Sequence, residues 1–196
     1  MKVKYGFSNV HYALYTPGAA GAVGTWSKPK RIPGAVSFSP EPQENTYDFF
    51  ADNGNYFSYT KDNGDAGDLE MAIFPAEFLK DILGWETDAS GALMELTNKP
   101  QQAFALLIEA QGVNDENELE RYRAVYYNAT GGKPSQDYST SEEDIEVQTS
   151  TMAITARPID FGGGLSMAKL SVTETSAPAA FENFFDSVYT PMPLAG

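Results

Sequence analysis

Two Asn-Gly dipeptides, Asn53-Gly54 and Asn63-Gly64, bracket the run Tyr56-Phe57-Ser58-Tyr59-Thr60, and a chain punctuated in this way is directed toward antiparallel pairing. Asn-Gly favours the tight hairpin turn whose two central residues both take positive φ. The spacing predicts consecutive strands over about 46–52, 55–61 and 68–74.

Other segments extend the β pattern. Residues 3–15 are β-branched, aromatic and small and end at Thr16-Pro17-Gly18, which reads as an opening strand and a turn. The Gly/Ala-rich stretch 17–24 reads as a surface loop. Pro29 and Pro33 demote 26–32 to an edge strand or extended segment, because each proline removes a ladder donor. A strand restarts at Val36 and Phe38, and Pro40 and Pro42 are expected to break it. The break opens a proline-marked extended excursion, Ser39, Pro40, Glu41, Pro42, Gln43, Glu44, Asn45 and Thr46. Further strands are expected over about 102–109, 119–128, 145–156 and 166–173, separated by polar turns. In the third of these the apolar parity changes from Ile145 and Val147 to Met152 and Ile154, which places a bulge, a change of buried face or a strand break between them. Regular strand spacing points to a mostly β protein of sandwich or barrel type, with one domain over 1–196.

Two helices interrupt this pattern. Pro75 opens the clearer one and Gly84 ends it, with Glu77 in the first turn and Phe78, Leu79, Ile82 and Leu83 on one stripe. The other spans about 178–188, where Phe181, Phe184, Phe185 and Val188 recur at helical spacing within a C-terminal docking segment, 176–196. Such a stripe needs a cover, either the chain's own sheet or a neighbouring copy.

Composition narrows the function. A net charge of −14 disfavours a phosphate-binding surface, which needs clustered Lys and Arg. The chain has no Cys, hence neither a disulfide framework nor a thiolate metal site. No apolar run approaches the roughly 18 residues of a membrane span, and no apolar leader segment follows Met1, so a soluble, unprocessed chain is expected.

Chemistry finds few footholds. G-x-S-x-G, P-loop and H-E-x-x-H patterns are absent, and His11 is the single histidine. Its place between Val10 and Tyr12 in the opening strand suits a hydrogen-bonded structural residue better than a general base. Asp62, Asp65 and Asp68 with Gly64 and Gly67 invite a calcium reading, but the spacing fails the EF-hand pattern and a turn with solvated acids is preferred. The acid runs Glu142-Glu143-Asp144 and Asp115-Glu116 with Glu118 supply carboxylate pairs that sit more naturally as solvated loops. No catalytic residue, metal site or cofactor is expected. Trp26, Trp85 and the Tyr126-Tyr127 pair are the residues a sugar-stacking module would use.

Several segments carry a resemblance: Asn9-Val10-His11-Tyr12-Ala13, Phe50-Ala51-Asp52-Asn53-Gly54, and Phe78-Leu79-Lys80-Asp81-Ile82-Leu83-Gly84. It continues through Phe104-Ala105-Leu106, Arg121-Tyr122-Arg123-Ala124-Val125-Tyr126-Tyr127 and the run from Thr149-Ser150-Thr151 to Ala156. In these the chain resembles the phage major tail protein family of the phi13 type. The resemblance implies a β-sandwich or barrel-like protomer with a flanking helix, assembling as hexameric rings that stack into a tail tube through which DNA passes without specific binding. Stacked rings need strands that complete a sheet across protomers, which makes the excursion over 39–46 a candidate inter-subunit arm, a disordered or self-packed loop being the alternative. It implies no enzyme, partners among other tail proteins, and residence in the virion after assembly in the bacterial host cytoplasm. The alternative is a monomeric β-sandwich module binding a carbohydrate or receptor; a carboxylate-pair hydrolase comes third.

Overall fold

The computed structural model describes residues 3–19, 22–136, 138 and 148–191. Strands β1 (Val3–Thr16), β2 (Thr25–Trp26), β3 (Lys30–Arg31), β4 (Ala35–Ala51) and β5 (Gly54–Met71) precede helix α1 (Ala76–Leu83). Strands β6 (Glu86–Thr87), β7 (Leu93–Met94), β8 (Phe104–Val113), β9 (Leu119–Gly131), β10 (Ser135–Gln136) and β11 (Ser150–Ala156) come next. The chain ends with β12 (Ile159–Asp160), β13 (Ser166–Met167), β14 (Lys169–Thr173) and helix α2 (Pro178–Glu182).

The protein is mostly β, as the pattern of the sequence requires. Ten strands form one antiparallel sheet in the order β2-β1-β8-β9-β11-β5-β4, with β3 added to β1, β14 to β9 and β10 to β11. Strand β9 changes partner along one edge: Tyr122 to Tyr126 pair with β14, whereas Ala129 to Gly131 pair with β11. A register shift between β8 and β9 at Phe104/Leu106 lies beside this change and bends the sheet there. The sheet curls so that β1 and β4, far apart in its order, line one cleft. The result is a barrel-like curl.

Strands β8 and β9 are apolar on both faces, since successive residues point to opposite sides. Phe104, Leu106, Tyr122, Ala124 and Tyr126 join the inner core, and Ala105, Leu107, Val125 and Tyr127 the outer one. Helix α1 covers part of the inner core with Phe78, Leu79, Ile82 and Leu83, each buried and each worth roughly 1.5–3 kcal/mol. Its start lies just after Pro75, and Gly84 closes it in the left-handed conformation at φ 68°, its N–H donating to the Lys80 carbonyl. The outer core is covered by Phe181 and Phe184 of the C-terminal segment.

Four expectations are corrected. Strand β4 runs through Pro40 and Pro42 without a break, so the excursion over 39–46 is a strand rather than a loop. Proline is tolerated there because β4 lies at the edge of the sheet, and a register shift between Pro42 and Glu44 absorbs the misfit. Asn63-Gly64 is not a turn: β5 is continuous across it, replacing the two expected strands. Gly64 is required for another reason, since a Cβ there would lie 2.0 Å from the Ala156 carbonyl oxygen, and its φ is +98°. The first Asn-Gly does make a hairpin, shifted by one residue so that Asp52 and Asn53 hold the positive φ values of 51° and 63°. The second helix stops at Glu182 rather than reaching 188. Beyond it the chain tightens into three-residue turns, Phe184 N–H to Phe181 O and Asp186 N–H to Asn183 O. Ile145 and Val147 lie outside the described residues.

Gly64→Ala is expected to cost on the order of 2–3 kcal/mol in chemical denaturation, through positive φ and the approach to β11 together. Gly91→Ala, also at positive φ but with open space around it, is expected to cost about 1 kcal/mol. Equal losses at the two positions would show that the close approach at Gly64 contributes nothing.

Candidate interaction surface

Beyond the point where β11 leaves β5, at Asp65, the β4–β5 hairpin continues as a two-stranded ribbon. No residue from 41 to 62 is buried, and only Ala51 is even half-buried. Direct cross-strand pairs set its chemistry. Tyr47 lies opposite Tyr59 and Phe49 opposite Phe57 on one face. Glu44, Thr46 and Asp48 lie opposite Asp62, Thr60 and Ser58 on the other. The ribbon is therefore amphipathic, with an aromatic face and an acidic one. Phe49 is 60% exposed, and toward the tip Phe50 and Tyr56 are 67% and 76% exposed. Thr46 and Thr60 hydroxyls share a hydrogen bond of 3.0 Å, and the Asn55 amide donates to Asp48 at 3.2 Å, so the polar face is ordered within itself.

Of the candidate arm residues, Ser39, Pro40 and Glu41 lie opposite Asp68, Gly67 and Ala66, where β11 still pairs with β5, and Pro42, Gln43, Glu44, Asn45 and Thr46 form the base of this ribbon. The sequence pattern does not single out its aromatic half, 47–59, because alternating aromatics read as half-buried strand positions. One signal points to it nonetheless: aromatics on both strands fall in register across the hairpin.

The second candidate segment packs on its own chain. Phe181 and Phe184 are buried at 2% and 0% exposure, while Phe185 and Val188 are partly buried against the same outer core. A polar cluster fixes the segment. Arg123 Nε donates to Glu109 at 2.6 Å, and its Nη1 donates to the Phe181 carbonyl. Its guanidinium carbon lies 3.9 Å from the Phe181 ring centroid and 4.6 Å from that of Phe185. Asn9 donates to the other Glu109 oxygen at 2.8 Å. His11 stacks on Phe185 with centroids 4.3 Å apart, and its Nδ1 donates to the Asn9 carbonyl at 2.9 Å. The single histidine is thus tied to backbone and ring. Tyr127 donates to the Tyr189 carbonyl at 2.8 Å, adding a tether farther along.

The remaining candidates separate. Asp62, Asp65 and Asp68 lie along β5 rather than in a loop, and Asp62 accepts the Gly64 N–H at 2.7 Å. Among the described residues no three His, Asp or Glu side chains group as metal ligands. Asp115, Glu116 and Glu118 lie in the β8–β9 turn, where Asn114 accepts from the N–H groups of Glu116 and Glu118. Glu142, Glu143 and Asp144 lie outside the described residues. Trp85, Tyr126 and Tyr127 are buried. Trp26 packs among Tyr15, Tyr127 and Phe161 and donates to the Tyr127 carbonyl. None of these four presents an open platform to a sugar.

No protein-family profile matches this sequence, so the narrower phi13-type likeness has no family match behind it. No curated protein matches either. Among solved structures, a chain from the sheath–tube complex of an extracellular contractile injection system, PVC, in its extended state is 13% identical with a TM-score of 0.46. Chains from the cap and from the baseplate of the anti-feeding prophage are 14% and 10% identical, each with a TM-score of 0.43. Each comparison covers 88% of this chain and 95% of the other. At such identities and scores they decide nothing about what this chain does.

Arg123→Met leaves Glu109 buried without its cation and removes the bond to Phe181, and is expected to cost about 3–5 kcal/mol in denaturant unfolding. Adding Glu109→Gln should recover part of that loss; a fully additive double variant would show that the two groups do not act as a pair. Burial, with Arg31 and Arg123 nearby, holds the His11 imidazole below its ordinary 6.5, while the Asn9 bond and Glu109 act in the opposite sense. The unfolded chain therefore takes up the proton first, and stability is lost as pH falls from about 6.5 through the folded value. His11→Gln should remove that component of the pH profile, which comparison of thermal midpoints with the native chain will check.

Proposed function

We propose that this chain is a structural subunit of phage-tail type, assembling with copies of itself as hexameric rings stacked into a tube that conducts a genome. The observation that carries the reading is the ribbon, whose aromatic face has no cover within the described chain. A two-stranded hairpin alone is marginal in water. Tyr47, Phe49, Phe57 and Tyr59 are 54–60% exposed, so covering them is worth on the order of 3–7 kcal/mol at about 1.5–3 kcal/mol per fully buried ring. That is comparable to the lower part of the roughly 4–15 kcal/mol cost of association, so an arm of this kind suits a polymer in which each subunit both gives and receives contacts.

Charge supports the same role. Behind the tip, the acidic face of the ribbon carries Glu44 opposite Asp62 without a base, and such a face suits a bore through which a polyanion passes without adhering. The function needs neither a catalytic residue nor a cofactor. Its partners are further copies and other tail proteins, and its place is the virion.

Negative-stain electron microscopy across a concentration series, with light scattering alongside, tests the reading. Hollow rings or tubes are expected from the native chain. Phe49→Ser with Phe57→Ser should stay monomeric with its thermal midpoint within a few degrees of native, since both rings are exposed in the monomer. A native chain that remains monomeric at every concentration would sink the proposal.

A further inference from the structure

Opposite the ribbon in chemistry is the cleft between β1 and β4. It encloses about 460 Å³, with Val36 and Phe38 on one wall and Tyr122 and Tyr126 lining it from β9. Its two charged residues are both lysines, Lys4 and Lys169. Each is held over an aromatic ring: Lys4 Nζ is 3.8 Å from the Tyr122 centroid, and Lys169 Nζ is 5.2 Å from that of Tyr126. The cleft exists because the curled sheet does not close. Val3 to Tyr5 of β1 pair with β8, and β4 pairs with β5, but among the described residues no ladder joins β1 to β4. Gly6 and Asn9, both at positive φ, mark the irregular stretch of β1 beside the gap.

From the structural-subunit reading, on which this step rests, we infer that the cleft of one copy seats the hairpin tip of another. The complementarity is of two kinds. Phe50 and Tyr56 flank the turn and are largely exposed, and the cleft presents apolar walls of matching character. Residues 41–62 carry Glu41, Glu44, Asp48, Asp52 and Asp62 against the single base Lys61, whereas the cleft is cationic. Asp52 sits in the turn itself and Asp48 a short way behind it.

The tip does not belong to its own cleft. Pro40 lines the cleft, and at about 3.3 Å per residue the turn lies roughly 36 Å farther along the ribbon. The contact therefore joins two different patches on identical chains. Such a heterologous contact closes into a ring or propagates as a filament, according to its rotation. The tip and the cleft would thus be the two halves of one repeating joint.

Charge exchange tests this in the full chain. Lys4→Glu with Lys169→Glu should raise the concentration needed for assembly by about tenfold or more, and Asp48→Lys with Asp52→Asn should do the same. Asn is chosen at position 52 because the backbone there has positive φ. A chain carrying all four changes should return to within about threefold of native. Circular dichroism verifies folding, and Lys4→Glu alone, at an exposed residue, replaces the pair should the Lys169 change unfold the protein. Assembly unaffected by the cleft changes, or a combined variant no better than the worse pair, overturns the joint. Lys4 should also react with an amine reagent in dilute monomer and be protected in assemblies; protection already present in the monomer means the chain covers its own cleft, and overturns it too. A native chain that never assembles removes the structural-subunit reading itself, whereas a native chain that assembles no more readily than its cleft variants removes this joint alone.

Discussion

Strands β8 and β9 must be covered on both faces, and most of the structure depends on that requirement. Their backbone groups are satisfied by neighbouring strands, but their side chains leave no side free for water. On the inner side the sheet curls over itself and α1 fills part of the remaining space. On the outer side no second complete sheet is available among the described residues, so the C-terminal segment performs that task with Phe181 and Phe184, pinned by Arg123. A buried guanidinium is acceptable there because Glu109, a backbone carbonyl and two ring faces meet it. Once both layers are assembled, the distal β4–β5 ribbon is left without a role in the monomer's core.

That division explains what was legible in the sequence. Helix α1 was, because Pro75, the Phe78/Leu79/Ile82/Leu83 stripe and Gly84 all state one local preference that the packing does not override. The first hairpin was legible to within one residue, since Asp52-Asn53 and Asn53-Gly54 both accept positive φ and the choice depends on register. Asn63-Gly64 misled because a local turn signal and a close tertiary approach ask for the same residue. At Gly64 the reason is the carbonyl of Ala156, a residue far away in sequence, which no local pattern can report. Pro40 and Pro42 misled in the opposite sense: edge position decides whether a proline breaks a strand, and position in a sheet is a property of the whole fold.

The candidate site was legible at its base and not along its length. Prolines and acids marked 39–46 as unusual, whereas Tyr47, Phe49, Phe57 and Tyr59 looked like ordinary strand residues with one buried face. Alternation tells which residues share a face, but not whether anything lies against that face. The C-terminal stripe shows the same limit. Helical spacing grouped Phe181, Phe184, Phe185 and Val188 correctly, yet the chain leaves the helix after Glu182 and still buries Phe184 by way of tighter turns.

An exposed aromatic ribbon is a hazard for any chain that must remain dispersed before it assembles, and net charge provides the counterweight. At −14, copies of the chain repel one another at distances within the Debye length, about 8 Å at physiological ionic strength, while apolar contact acts only on touching. Encounters that place acidic surface on acidic surface are disfavoured. In the proposed joint an acidic tip meets a cationic cleft, an encounter that charge favours, and the apolar gain would follow that alignment. Prolines at 40 and 42 act alongside this restraint, since they remove donors from the outer edge of β4 near its base and confine any edge-to-edge pairing to the distal part. On the proposed reading, the features that look costly in the monomer, an acidic surface and an interrupted edge, would let copies associate through one joint without adhering elsewhere.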